Sequence, residues 1–121
     1  MSHRVLLIGA SSKSERYAHK AQLLLTEHGH EVVPVNPSET EILGVQTVAN
    51  VSEASGTIDT VSVYVRPQVL SAMTDDIVRL SPKRVILNPG TEDAAIKEKF
   101  LAAGIEVVEG CTLVMLKTGQ F

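Results

Sequence analysis

The sequence is poor in aromatic residues. Phe, Tyr and Trp make up 3% of it, with no Trp at all. A core must therefore come from Val, Leu, Ile and Ala, and there is little to stack on nucleic-acid bases. A basic field is missing too: 11 Lys and Arg face 14 Asp and Glu, a formal charge of −3. Together these two shortages set nucleic-acid binding aside. The single cysteine excludes an internal disulfide and fits a reducing, cytoplasmic setting. No apolar run approaches the roughly 20 residues that cross a bilayer. The apolar start ends at Gly9 and reads as a first strand rather than a signal peptide. Repeats, low-complexity tracts and linkers are absent, so the expectation is one domain over residues 1–121.

What is present alternates. Arg4–Ile8 is a continuous apolar run of the kind buried on both faces of a sheet. Ala18, Ala21, Leu24 and Leu25 then share a helical face, and Gly29 is placed as a left-handed cap. Glu31–Val35 is a second strand, with Pro34 marking an edge or irregular side. Residues 36–59 are turn-rich, with short elements at Val45–Val48 and Ser52–Ala54. Thr60–Val65 is a third strand. A helix over Pro67–Leu80 should bury Val69, Met73, Ile77 and Leu80. Arg84–Leu87 is a fourth strand, a capped helix opens at Thr91-Glu92-Asp93, and Ile105–Val108 closes the series after Gly104. The form of residues 111–121 is open. The alternation predicts a doubly wound, Rossmann-like parallel sheet of about five strands in three α/β/α layers. The expected strand order is 3-2-1-4-5, with a flavodoxin-like order as the rival.

Ligands of such sheets bind beyond the carboxyl ends of the strands. The segments there are Gly9–Arg16, Asn36-Pro37, Arg66-Pro67 and Asn88-Pro89-Gly90. In the first, Gly9 permits a sharp turn, and Ser11 and Ser12 supply hydroxyls and amides. Ser12 and Glu15 have capping-box spacing, and Lys13, Arg16 and Lys20 are spaced to form a cationic side. The turn reads equally as an anion site and as a packing device with solvated basic residues. NAD is disfavoured. Of the glycines a dinucleotide fingerprint wants at 9, 11 and 14, only Gly9 is present, and strand two ends in Asn36 rather than an acid.

Ile8-Gly9-Ala10-Ser11, His28–Pro37 with its Val-Pro-Val-Asn-Pro, and Val63-Tyr64-Val65-Arg66-Pro67 are similar to segments of the stand-alone CoA-binding proteins. Those small domains resemble the N-terminal, CoA-holding domain of the succinyl-CoA ligase alpha subunit. The resemblance extends through Ile42-Leu43-Gly44 and Glu109-Gly110-Cys111. It implies a Rossmann-like fold and a coenzyme A or acyl-CoA ligand. It also implies that Gly9, Ala10, Ser11, Ser12, Lys13 and Arg16 face the pyrophosphate. Asn36 and Pro37 would border the nucleotide, Val65, Arg66 and Pro67 would line the pocket, and Asn88, Pro89 and Gly90 would form its other wall. Arg66 is a candidate bidentate phosphate ligand.

The remaining chemistry-bearing residues carry less. His28-Gly29-His30 is a helix end rather than a metal pair. His19 is expected at the surface, and Cys111 is expected buried and inert, with no neighbouring His or Lys. No catalytic residue and no metal ligand stands out. The reading is a non-catalytic sensor, carrier or regulatory protein, working as a homo-oligomer or with a protein partner. The alternatives are a small NAD(P)- or CoA-dependent enzyme, or an interaction module without nucleotide.

Overall fold

The computed structural model describes residues 2–121. Five strands form one parallel sheet: β1 (Arg4–Ile8), β2 (Glu31–Val35), β5 (Thr60–Val63), β6 (Arg84–Leu87) and β7 (Glu106–Glu109). A two-stranded antiparallel hairpin, β3 (Glu41–Ile42) and β4 (Val45–Gln46), lies in the turn-rich segment after β2. The Rossmann-like class holds, but the strand order is β2-β1-β5-β6-β7. Counted over the five main strands this is 2-1-3-4-5, so the flavodoxin-like rival replaces the expected 3-2-1-4-5. After β2 the chain crosses to the far side of β1 instead of adding outward. The outer edge of β2 is taken by its own following loop: Val48 bridges Val35, its N–H donates to the Pro34 carbonyl at 3.0 Å, and its carbonyl accepts from Asn36 N–H. Within a strand residue, carbonyl and N–H point the same way. The donor that Pro34 lacks would thus point to that edge, and no bond to β1 is lost.

The period of two along β1 divides the core. Leu6 and Ile8 face one layer, with Leu70, Ile77, Ile96 and Phe100 from helices α2 (Pro67–Leu70), α3 (Thr74–Leu80) and α4 (Ala94–Ala102). Val5 and Leu7 face the other, with Leu25 of α1 (Tyr17–Glu27) and Leu116 of α5 (Thr112–Lys117). Phe100 apart, the fully buried apolar residues of both sides are aliphatic, which is why four aromatics suffice.

Several local expectations change. The tail forms α5, which returns across the sheet to pack on α1. The 67–80 helix is broken by a 3₁₀ turn at Ser71–Met73, and it buries Leu70, Thr74 and Ile77, leaving Val69 exposed. In α1 the buried set is Ala18, His19, Ala21, Gln22 and Leu25, with Leu24 half-buried. Gly29 does end that helix with φ +84.

Candidate functional site

The strand order reverses between β1 and β5, and the turns leaving those two strands meet there. Gly9 has φ +89, and a Cβ on it would stand 3.1 Å from the Tyr64 carbonyl carbon and 3.1 Å from Val65 Cγ1. Only glycine allows both that dihedral and that approach. Above the turns opens a cleft of about 840 Å³, lined from the β1 side by Gly9–Lys13 and Arg16, from the β2 side by Asn36–Glu39, and elsewhere by Tyr64, Val65, Pro89 and Thr91, among others.

Two side chains fix the turn after β1. His19 is buried at 8% exposure, and its Nδ1 lies 2.9 Å from the Ser11 carbonyl. A carbonyl only accepts, so Nδ1 carries the proton. This corrects the surface placement expected for His19, whose residue type hid a packing and clamping role. Asn36 Nδ2 donates to the Ala10 carbonyl at 2.9 Å, while its Oδ1 accepts from the Ser38 and Glu39 amides at 2.7 and 2.8 Å. The turns after β1 and β2 are thereby one unit.

Helix α1 begins at Tyr17, four residues later than a Ser12–Glu15 capping box would place it, and that box does not form. Its N-cap is Arg16, whose side chain caps nothing, so the first amides of an 11-residue helix open without side-chain partners. Tyr17 and Ala18 of that first turn line the cleft. Lys13 and Arg16 stand beside it, and neither is in an ion pair among the described residues. A helix N-terminus flanked by two free cations is a place for a phosphate or pyrophosphate.

Ten of the residues expected at the site do line the cleft: Gly9, Ala10, Ser11, Ser12, Lys13, Arg16, Asn36, Pro37, Val65 and Pro89. Arg66, Pro67, Asn88 and Gly90 do not. Arg66 and Pro67 open α2 as its N-cap and first residue, and Gly90 donates its amide to Glu92. Asn88 is 1% exposed and fully engaged: its Nδ2 donates to Ser62 Oγ at 3.0 Å and the Val63 carbonyl at 2.8 Å, and its Oδ1 accepts from Thr112 N–H at 2.8 Å. It holds α5 to the sheet. Cys111, just before α5, is free and half-buried rather than fully buried.

A scan against family models matches residues 3–117 to the CoA binding domain. The chain belongs to the CoA-binding domain family. A crystal structure of an uncharacterized protein superposes over 100% of this chain and 99% of its own, with TM-score 0.94 and 41% identity. Among curated proteins, the uncharacterized protein YneT of Bacillus subtilis is 32% identical over 77 residues. That alignment covers 64% of this chain and 57% of YneT, so it spans little more than half of that relative. The dinucleotide forming acetyl-coenzyme A synthetase 1 of Ca. Korarchaeum cryptofilum matches 89% of this chain and 25% of its own, with TM-score 0.76 and 19% identity, a likeness of fold.

For a member of this family, the cleft holds residues that the sequence did not single out: Tyr17, Ser38, Glu39, Tyr64 and Thr91. Glu39 is the most consequential. Its Oε2 accepts from the Ser12 amide at 3.1 Å, and hydrogen bonding from Ser12 holds its carboxyl below the usual carboxylate range. The Asn-Pro-Ser-Glu spacing was the available signal, since an Asn that folds a turn onto its own following amides brings the residue three on back over the strand end. Burial pushes the Tyr64 phenol up to about 12, so it stays protonated at neutral pH.

Proposed function

We propose that the protein binds a CoA-type nucleotide, coenzyme A or an acyl-CoA, and does so without catalysing its conversion. The observation that carries this reading is the uncapped N-terminus of α1, opening into the cleft between Lys13 and Arg16. Those donors fit a pyrophosphate. The Gly9–Lys13 turn cradles it, Asn36 and Pro37 border the nucleoside, and Val65 with Tyr64 forms the apolar floor. Membership of the CoA-binding domain family supports the ligand class.

The case for a non-catalytic role rests on the cleft's own groups. His19 is committed to the Ser11 carbonyl, and the Tyr64 phenol is too weak an acid to serve as a base near neutrality. Among the described residues, no cleft hydroxyl is hydrogen-bonded to a His side chain, and the carboxylate beside Ser12, Glu39, is held below the usual carboxylate range and so is a weakened base. A sensor, carrier or regulatory partner in the cytoplasm is the role proposed; the lone free cysteine fits a reducing compartment. Calorimetric titration with CoA, acetyl-CoA, NAD and ATP tests it. CoA or acetyl-CoA should bind with one site per chain and remain chemically unchanged. Absence of measurable heat with either at physiological salt defeats the reading.

A further inference from the structure

Lys13 and Arg16 reach the cleft from the first turn and the start of α1, and Glu39 comes from the turn after β2, its carboxylate meeting the Ser12 amide near the Lys13 charge. Glu39 is anchored at three points: its N–H donates to Asn36 Oδ1, its carbonyl accepts from Thr47 Oγ1, and its Oε2 takes the Ser12 amide. Asn36 Nδ2 lies 3.3 Å from that same oxygen. The second carboxylate oxygen takes no hydrogen bond among the described residues and is left to the cleft.

In doubly wound sheets the nucleoside lies toward β2 when the pyrophosphate rests on the first helix. There, an acidic side chain accepts from free ribose hydroxyls, while a phosphorylated ribose calls for a cation. Asn36 ends β2 without a charge, yet the turn it folds returns Glu39 to the cleft. A fixed carboxylate is a good acceptor for a hydroxyl donor and repels a phosphate dianion.

We propose that Glu39 selects the ribose of the ligand, favouring one whose hydroxyls are free over one that carries a phosphate. CoA still binds, but 3′-dephospho-CoA, or another adenosine diphosphate derivative of that kind, binds more tightly. This rests on the pyrophosphate placement proposed above but not on the pantetheine arm. Specificity here comes from a repulsive element as much as from an attractive one.

The experiment is calorimetric titration of the full chain with four probes: CoA, 3′-dephospho-CoA, ADP-ribose and adenosine 3′,5′-bisphosphate. Wild type, Glu39→Gln and Glu39→Lys are compared. Glu39→Gln keeps an acceptor for the Ser12 amide and removes only the charge. Wild type should bind 3′-dephospho-CoA about tenfold or more tightly than CoA. The preference should shrink in Glu39→Gln and reverse in Glu39→Lys. Should CoA bind wild type as tightly as 3′-dephospho-CoA, or should Glu39→Gln leave the ratio unchanged, the selection is wrong while the CoA reading stands. Should ADP-ribose bind but neither CoA form, with Glu39→Lys weakening it, the selection stands and the CoA reading falls. If none of the four probes binds, both fall.

Discussion

The Asn36 side-chain amide donates to the Ala10 carbonyl at 2.9 Å, and so ties the turn after β2 to the turn after β1. The same side chain organises the Ser38 and Glu39 amides. Asn36→Leu removes all of these bonds at a half-buried position. It should cost about 1–3 kcal/mol of stability, the range for buried polar groups left unpartnered. CoA affinity should fall with it, because both walls of the cleft lose their common anchor. Urea denaturation and calorimetry check the two effects; an unchanged midpoint with unchanged affinity contradicts the assignment.

The two cations of the cleft should act on affinity rather than on folding. Lys13 and Arg16 are exposed and have no ion-pair partner among the described residues. Alanine at either one should weaken CoA by about tenfold with little change in stability, as expected for a lost charge-assisted hydrogen bond. Arg66→Ala should change affinity by less than about twofold, since Arg66 caps α2 outside the cleft. An equal loss at all three positions would contradict the geometry.

Asn88 should matter for stability instead. Asn88→Ala leaves the Thr112 amide and the Ser62 hydroxyl short of partners in a buried place. The expected cost is about 2–4 kcal/mol, read by urea denaturation. Loss of CoA binding without loss of stability would return Asn88 to the ligand site.

At the opposite ends of the strands, the His3 backbone N–H donates to His30 Nδ1 at 2.9 Å, which requires that nitrogen to be unprotonated. Burial, followed by the nearby positive charges, holds both histidines below the usual value of 6.5. For a base with a lowered native pKa, the unfolded chain takes up protons first as pH falls. The stability these groups contribute is full above about 6.5 and is lost as pH drops through that value and their native pKa values. His30→Gln should flatten the stability profile between pH 7 and 5, measured by denaturation at each pH. A profile as steep as wild type would contradict this.

Much of the fold was legible because Val5–Ile8 of β1 is an unbroken apolar run and the helices carry their own stops, such as Gly29 with its positive φ. Strand order was not. The physical preference for right-handed crossovers fixes which face a helix takes, and leaves open on which side of β1 the third main strand adds. The cleft was legible where the backbone makes it, at Gly9–Lys13 and Asn36-Pro37. It was misjudged where a polar residue at a strand end is spent internally: Asn88 sits at the same kind of position as Asn36, yet its amide is consumed by Ser62, Val63 and Thr112. His19 and Glu39 were missed for the converse reason. They reach the cleft turn across 8 and 27 residues of sequence, and only the Asn-Pro-Ser-Glu turn before Glu39 leaves a local mark of it.

In the proposed complex a CoA-type pyrophosphate rests on the turn after β1 and the start of α1. Amide chemical-shift mapping of ¹⁵N-labelled protein titrated with CoA tests this placement. The largest changes should fall on Gly9–Lys13, Tyr17, Ala18 and Val65, with residues beside His3 and His30 unmoved. Changes centred on Val45–Val48 and Glu31–Val33 at the β2 edge, or no changes at saturating CoA, would contradict it.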